Sequence, residues 1–294
     1  MANYFANLKL ELIVSPNPAS AYEDIIVQHE GSVAIITLNR PDKLNSLNDQ
    51  ILYDLQRAMD ELEQVKSVRA VILTGSGRAF CAGFDISPRK QPLKTVEHWR
   101  EHVTLGNDTC FKIWRSRLPV VAAVNGFCLG GGCDLSMACD LTLSSEAAEF
   151  GEPEIQVQSA PPFAIMPWVV SMKHAKELLL TGGRINAHEA ARIGLVNRVV
   201  AAAQLMTEAR KLAIQLAKVP ADTMMFNKRA INRGYEIRGF LDAIDYGAEI
   251  FTLIKMSESS EEQKEFMRVA AEQGLKAAFK WRDQKFALDN DAEA

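Results

Sequence analysis

"NGFCLGGGCDLSMACD", residues 125–140, places three consecutive glycines, Gly130 to Gly132, directly before Cys133, Asp134 and the apolar Leu135, Met137 and Ala138. Glycine loses more conformational freedom on ordering than any other residue, so a run of three needs a backbone reason. Two reasons fit. A turn without side chains lets a helix pack tightly on the preceding strand. It also lets a ligand oxygen reach the unpaired N–H groups of the first helical turn, where the helix dipole is positive.

A second stretch has the same grammar. "VILTGSGRAFCAGFD" (71–85) and "VAAVNGFCLGGGCD" (121–134) each run from an apolar strand through a glycine-containing turn to an acid. This faint repeat predicts a recurring strand–strand–helix unit. Two N–H groups converging from separate turns would form an oxyanion hole. Gly83 clears space in the first turn, and the N–H of Phe84 is the natural partner for the Gly130–Gly132 donors. Other glycine chemistries do not fit: "GSGRAF" (75–80) lacks the third glycine of a dinucleotide fingerprint, and neither a phosphate-loop motif nor a G-x-S-x-G elbow occurs.

Working outward, "DIIVQHEG" (24–31) and "VAIITLN" (33–39) read as paired strands. Apolar residues at helical spacing from about 50 to 65 follow the cap candidates Ser46 and Asn48. "RAVILTG" (69–75) and "PVVAAVNG" (119–126) are buried strands flanking a helix over 93–117. Beyond residue 163 the pattern predicts helices over 164–180, 187–193, 203–218, 222–233, 238–256 and 260–282, with one strand at "LVNRVV" (195–200). The expected layout is an N-terminal extension (1–22), an α/β core (23–200), a helical C-terminal region (201–286) and a flexible tail (287–294).

With 48% apolar and 24% charged residues and a net charge of −4, the 294-residue chain carries no basic footprint for nucleic acid. It has no apolar window long enough to span a bilayer and no signal-peptide pattern. Five cysteines without C-x-x-C spacing predict neither a zinc site nor a disulfide framework, and so a cytoplasmic setting. His98 and His102 stand four apart on the 93–117 helix without a third ligand, and read as surface or packing residues rather than a metal pair.

"RPDKLNSL" (40–47), "AFCAGFDI" (79–86), "VNGFCLGGGCDLSMACD" (124–140), "FGEPEI" (150–155) and "TGGRINAHEAARIGLVNRVV" (181–200) resemble, in order and spacing, the signature blocks of the crotonase (enoyl-CoA hydratase/isomerase) family. The resemblance implies a spiral of ββα units with a helical C-terminal trimerisation region, assembled as a trimer or as a hexamer of two trimers. It implies acyl-CoA thioester substrates, stabilisation of a thioester enolate, and no cofactor beyond the coenzyme A of the substrate. Carried over by position, the oxyanion donors fall on Phe84 and Gly131. Coenzyme A contacts fall on Lys43, Leu44, Ala82, Phe84, Asp85 and Ile86, and the basic residues near the phosphates are Lys280, Arg282 and Lys285. The paired acids become Asp134 and Glu154, while Asp140 reads as a structural tie. Two carboxylates facing one water can divide acid and base roles because proximity separates their pKa values.

Two departures from the family pattern carry expectations of their own. Hydratases of the family place Glu where this chain has Asp134, whose carboxylate reaches about 1.5 Å less far. An aspartate here resembles the dienoyl-CoA isomerase branch, but that branch's further Asp falls on Pro162. The usual glycine-rich segment after the second acid reads "VQSAPPFAIMPWVV" (157–170), so Pro162, Phe163 and Trp168 become candidate walls of an acyl pocket, or else packing between helices. As pocket walls they imply a bulky, aromatic or alicyclic acyl group. The expected activity is hydration of a 2,3-unsaturated acyl-CoA. Isomerisation, acyl-CoA or C–C bond hydrolysis and hydration followed by cleavage reuse the same hole, and a non-catalytic coenzyme A-binding scaffold is the alternative of another class.

Overall fold

A computed structural model describes residues 22–286 except Pro88, Lys90 and Gln91. Nearly all of the expected N-terminal extension and the whole of the 287–294 tail lie outside the described residues.

Strands β1 (Ile25–Glu30) and β2 (Val33–Leu38) form an antiparallel hairpin. Gly31, at φ +62°, makes the tight reversal between them. Helix α1 (Asp49–Gln64) follows, capped by Asn48, whose side chain accepts the Ile51 N–H. Of the two cap candidates, Asn48 takes the role.

The chain then repeats one manoeuvre. β3 (Ala70–Gly75) is followed by β4 (Ala79–Cys81) and α2 (Val96–Arg115), and β5 (Val120–Val124) by β6 (Phe127–Leu129) and α3 (Gly131–Ala138). β7 (Leu141–Ser145) is followed by β8 (Glu149–Gly151). β3, β5 and β7 join a six-stranded sheet of order β1-β2-β3-β5-β7-β10, while β4, β6 and β8 step into a four-stranded sheet of order β4-β6-β8-β9. That staircase is the repeated unit the two glycine turns announced.

Beyond β8 come α4 (Met166–Val169), α5 (Met172–Thr181), β9 (Arg184–Asn186), α6 (Ala187–Arg192) and β10 (Arg198–Val200). The sequence pattern predicts one strand after residue 163, and among the described residues there are two. β9 carries a single apolar residue, Ile185, and exists because its backbone closes the edge of the small sheet opposite Phe150. The helical C-terminal region comprises α7 (Leu205–Ala217), α8 (Ala221–Ile237), α9 (Phe240–Met256), α10 (Glu261–Gln273) and α11 (Leu275–Lys285). The single helix expected over 260–282 is two, broken at Gly274 with φ +88°. None of the described helices is long and apolar enough to cross a membrane.

The large sheet is apolar on both faces, which is why its strands read as unbroken apolar runs rather than alternating ones. Ala34, Ile36, Val71, Leu73, Ala122 and Val124 face α1 and α3, whereas Val33, Ile35, Ile72, Val121 and Ala123 face Leu205, Ala209 and Leu212 of α7. Helix α3 is buried along its whole length, Asp134 and Ser136 included. The glycine turn before α3 is thereby held at the centre of the molecule.

Candidate active site

The two glycine turns meet. Leu47 N–H donates to the Gly83 carbonyl, and Asp85 N–H donates to the Leu47 carbonyl, so the intervening Phe84 N–H points the other way. Gly83 stands at φ +98°, and a methyl group there would lie 3.0 Å from the Leu129 carbonyl oxygen and 3.5 Å from the Gly131 nitrogen. The Phe84 ring packs so closely on Gly131 that a methyl group on that glycine would come within 2.8 Å of it. Gly132 is pressed against the Cys81 carbonyl, where a side chain would overlap it outright. Gly132 permits the close packing of the turn on β4, while Gly131 presents its backbone N–H beside the Phe84 ring. Among the described residues, neither Phe84 N–H nor Gly131 N–H has a hydrogen-bond acceptor.

Three acids surround this turn. Glu154 lies in the short 3-10 turn Pro153–Val157, and a methyl group on Gly130 would meet its Oε2 at 2.9 Å. Asp134 lies in the first turn of α3, 2% exposed, with no hydrogen-bond partner for either carboxylate oxygen among the described residues. Glu152, 1% exposed, is orphaned in the same way. Burial raises the Asp134 carboxyl well above its usual range, and the neighbouring Glu154 raises it further. The Phe163 amide opposes this shift without reaching hydrogen-bond geometry. Burial likewise raises Glu152 well up, helped by Glu154 and Asp134. Glu154 is raised too, chiefly by burial, opposed first by the neighbouring Glu152 carboxyl and its own backbone amide and then by the charges of Lys255 and Arg282. It is also the only one of the three acids among the lining residues of the main cavity.

That cavity, about 400 Å³, runs from the Phe84–Gly131 turn to the C-terminal helices. Ala82, Phe84, Asp85 and Ile86 line it, as does Pro162. Asp85 is tied to Arg40 at 2.9 Å and to the Ser87 N–H at 2.9 Å. Lys43 and Leu44 do not line it: Lys43 is exposed, and Leu44, at φ +52°, supports the wall by accepting the Ala82 N–H at 3.0 Å. Of the three basic residues expected near the phosphates, only Arg282 lines the cavity; Lys280 is exposed, and Lys285 pairs with Glu262 at 3.0 Å.

Three expectations need correction. Asp134 does not share the main cavity with Glu154; it lines a narrow recess of about 10 Å³ with Pro162 and Phe163, roughly the space of one water. Its short side chain and the intervening Gly131 and Phe84 explain the separation. Phe163 is therefore a wall of the recess rather than of the main cavity. Trp168 lines neither space: half-buried, its ring packs edge-on to Phe240 at 5.6 Å against the core, as the packing alternative had it.

The apolar walls of the main cavity come instead from Trp99 of α2, Phe251 of α9, Phe266 of α10 and Phe279 of α11. Pattern reading assigns these to helix packing, and no local signal marks them as cavity residues. His102 also lines it, edge-on to Phe84 at 5.3 Å and within 2.9 Å of Arg89. Burial lowers its pKa to about 4, so it is neutral. His98 is exposed on the same helix, and among the described residues no cluster of side chains could hold a metal. Asp140 is a structural tie: its Oδ2 accepts both the Val120 N–H (2.8 Å) and Lys228 Nζ (2.7 Å).

Comparison with known proteins agrees with this architecture. Residues 28–283 match the family described as "Enoyl-CoA hydratase/isomerase". The chain is 38% identical over 263 residues to a short-chain-enoyl-CoA hydratase of Clostridium acetobutylicum, covering 88% of this chain and 98% of that one. It is 39% identical over 220 residues to a crotonyl-CoA hydratase of Syntrophomonas wolfei, covering 74% and 84%. A crystal structure of an enoyl-CoA hydratase/isomerase from Xanthobacter autotrophicus Py2 superimposes with a TM-score of 0.87 at 38% identity, over 91% of this chain and 100% of that one.

Proposed function

Because this chain belongs to the enoyl-CoA hydratase/isomerase family, we propose that it adds water across the 2,3-double bond of an enoyl-CoA thioester. The thioester oxygen accepts the Phe84 and Gly131 N–H groups, which strengthen their hold as negative charge builds in the enolate. Glu154, the acid that keeps its charge most readily, takes a proton from the water attacking the β-carbon. Asp134, held neutral by burial, relays a proton to the α-carbon through the recess beneath Gly131. Transfer from Glu154 back to Asp134 resets both acids, so the overall change is the gain of one water. The acyl group is bulky, bounded by Pro162 and by the aromatic side chains of Trp99, Phe251 and Phe266. No cofactor is required beyond the coenzyme A that arrives with the substrate. The protein acts in the cytoplasm as a trimer or as a pair of trimers.

The observation that carries this reading is the placement of the Glu154 carboxylate against Gly130, beside two open N–H donors on one cavity wall. Mass spectrometry on purified protein with short, long, aromatic and alicyclic enoyl-CoA thioesters tests it. Gain of one water with coenzyme A retained is expected. Release of coenzyme A, or of a shortened acyl-CoA plus a carbonyl fragment, replaces hydration by hydrolysis or cleavage. Glu154→Gln should lower the hydration rate by about 10²- to 10⁴-fold, the usual worth of a general acid–base group. Full activity in that variant removes Glu154 from the reaction.

A further inference from the structure

Most of the charged side chains around the main cavity are paired locally. Asp85 pairs with Arg40, Arg89 with Asp49, and Arg282 with Asp283. Lys255 of α9 is different. Its Nζ has no carboxylate within 4.0 Å among the described residues, and its one hydrogen bond goes to the Gln158 carbonyl at 3.3 Å. The ammonium stands over the rings of Phe251 (5.3 Å) and Trp99 (5.8 Å), close enough for attraction to the ring faces. The Gln158 side chain is locked by Ser257 Oγ, the Glu258 carbonyl and the Ser260 N–H, which fixes the end of α9 that carries Lys255.

An ammonium has three donors and here uses one within the protein. Burial lowers its pKa to about 8, opposed only by the distant Glu154. An uncharged acyl chain filling the cavity would strip water from this cation and return nothing. A carboxylate on the acyl chain would meet the two free donors with charge-assisted hydrogen bonds.

We propose that Lys255 is a specificity determinant that binds a carboxylate on the acyl group, so that the preferred substrate is the coenzyme A monothioester of a dicarboxylic acid. This rests on reading the cavity as an acyl-CoA site. The coenzyme A phosphates are the other anions such a ligand brings. They are held away from the reacting carbons by the pantetheine arm, whereas Lys255 and Glu154 line the same chamber.

Titration calorimetry with glutaryl-CoA, pentanoyl-CoA and free coenzyme A tests the proposal on wild type, Lys255→Met and Lys255→Arg. Wild type should bind glutaryl-CoA about 10- to 100-fold more tightly than pentanoyl-CoA, the range of one charge-assisted hydrogen bond. Lys255→Met should abolish that preference and leave free coenzyme A affinity unchanged, while Lys255→Arg retains the preference. Three results overturn the proposal: no preference, or no glutaryl-CoA binding, in wild type; a preference that survives Lys255→Met; or an equal loss of affinity for free coenzyme A. The wild-type comparison decides even where Lys255→Met fails to fold. Both acyl probes are saturated, so the outcome is independent of whether the protein hydrates anything.

Discussion

Asp134, Glu152 and Glu154 surround one glycine turn, and like charges so placed in a dry interior cannot all ionise. Of the three, Glu154 alone lines the cavity and has Lys255 and Arg282 opposing the effect of burial, whereas burial and the neighbouring acids raise Asp134 and Glu152 well above the usual carboxylate range. A carboxyl whose folded pKa is raised binds its proton more firmly folded than unfolded. Its contribution is intact below the unfolded pKa and is lost as pH rises toward the folded value. Each pH unit in that window costs at most about 1.4 kcal/mol per group. Glu152→Gln should therefore melt at a higher temperature than wild type, with a larger advantage at pH 8 than at pH 5. Thermal melts at the two pH values check this, and an advantage independent of pH would mean that Glu152 ionises freely in the fold.

At the scale of elements, Lys228 joins the helical C-terminal region to the core. From α8 its Nζ donates to the Ile113 and Leu118 carbonyls, at 3.1 and 3.0 Å, as well as to Asp140. Asp140 in turn holds the start of β5 through the Val120 N–H. Lys228→Met would leave the two carbonyls and the carboxylate without their donor. A loss of roughly 3 kcal/mol is expected, the lower end for a broken buried pair because Asp140 keeps some contact with water. The melting temperature should fall by on the order of 10 °C. A fall of under about 2 °C in a calorimetric scan would show that water replaces the ammonium there without penalty.

At the scale of the whole molecule, large apolar side chains remain uncovered on the C-terminal helices. Tyr246 and Leu253 of α9 are 68% and 64% exposed; at a spacing of seven residues they share one helix face. Phe226 and Ile237 of α8 are 60% and 73% exposed. Apolar surface of this kind would suit the subunit contact of the proposed trimer. Sedimentation should find an oligomer in wild type, and a Tyr246→Asp, Leu253→Asp double variant should shift it toward monomer. An unchanged sedimentation coefficient in that variant would place the subunit contact elsewhere.

The sequence by itself determined the repeated strand–strand–helix unit, because that depends on local features: apolar runs, glycines at forced conformations and caps such as Asn48. Glycine placement singled out Phe84, whereas Glu154 came only through the motif resemblance. What only the tertiary structure decided is which side chains share a space. Asp134 falls behind Gly131 in its own recess, Trp168 packs half-buried against the core, and Trp99, His102, Phe251 and Lys255 arrive at the cavity from α2 and α9. Their helices repeat at ordinary core spacing, so nothing in the pattern separates a residue packed against protein from one packed against a ligand. Which face of a helix meets a cavity is set by how the helices cross, through contacts far apart in the chain.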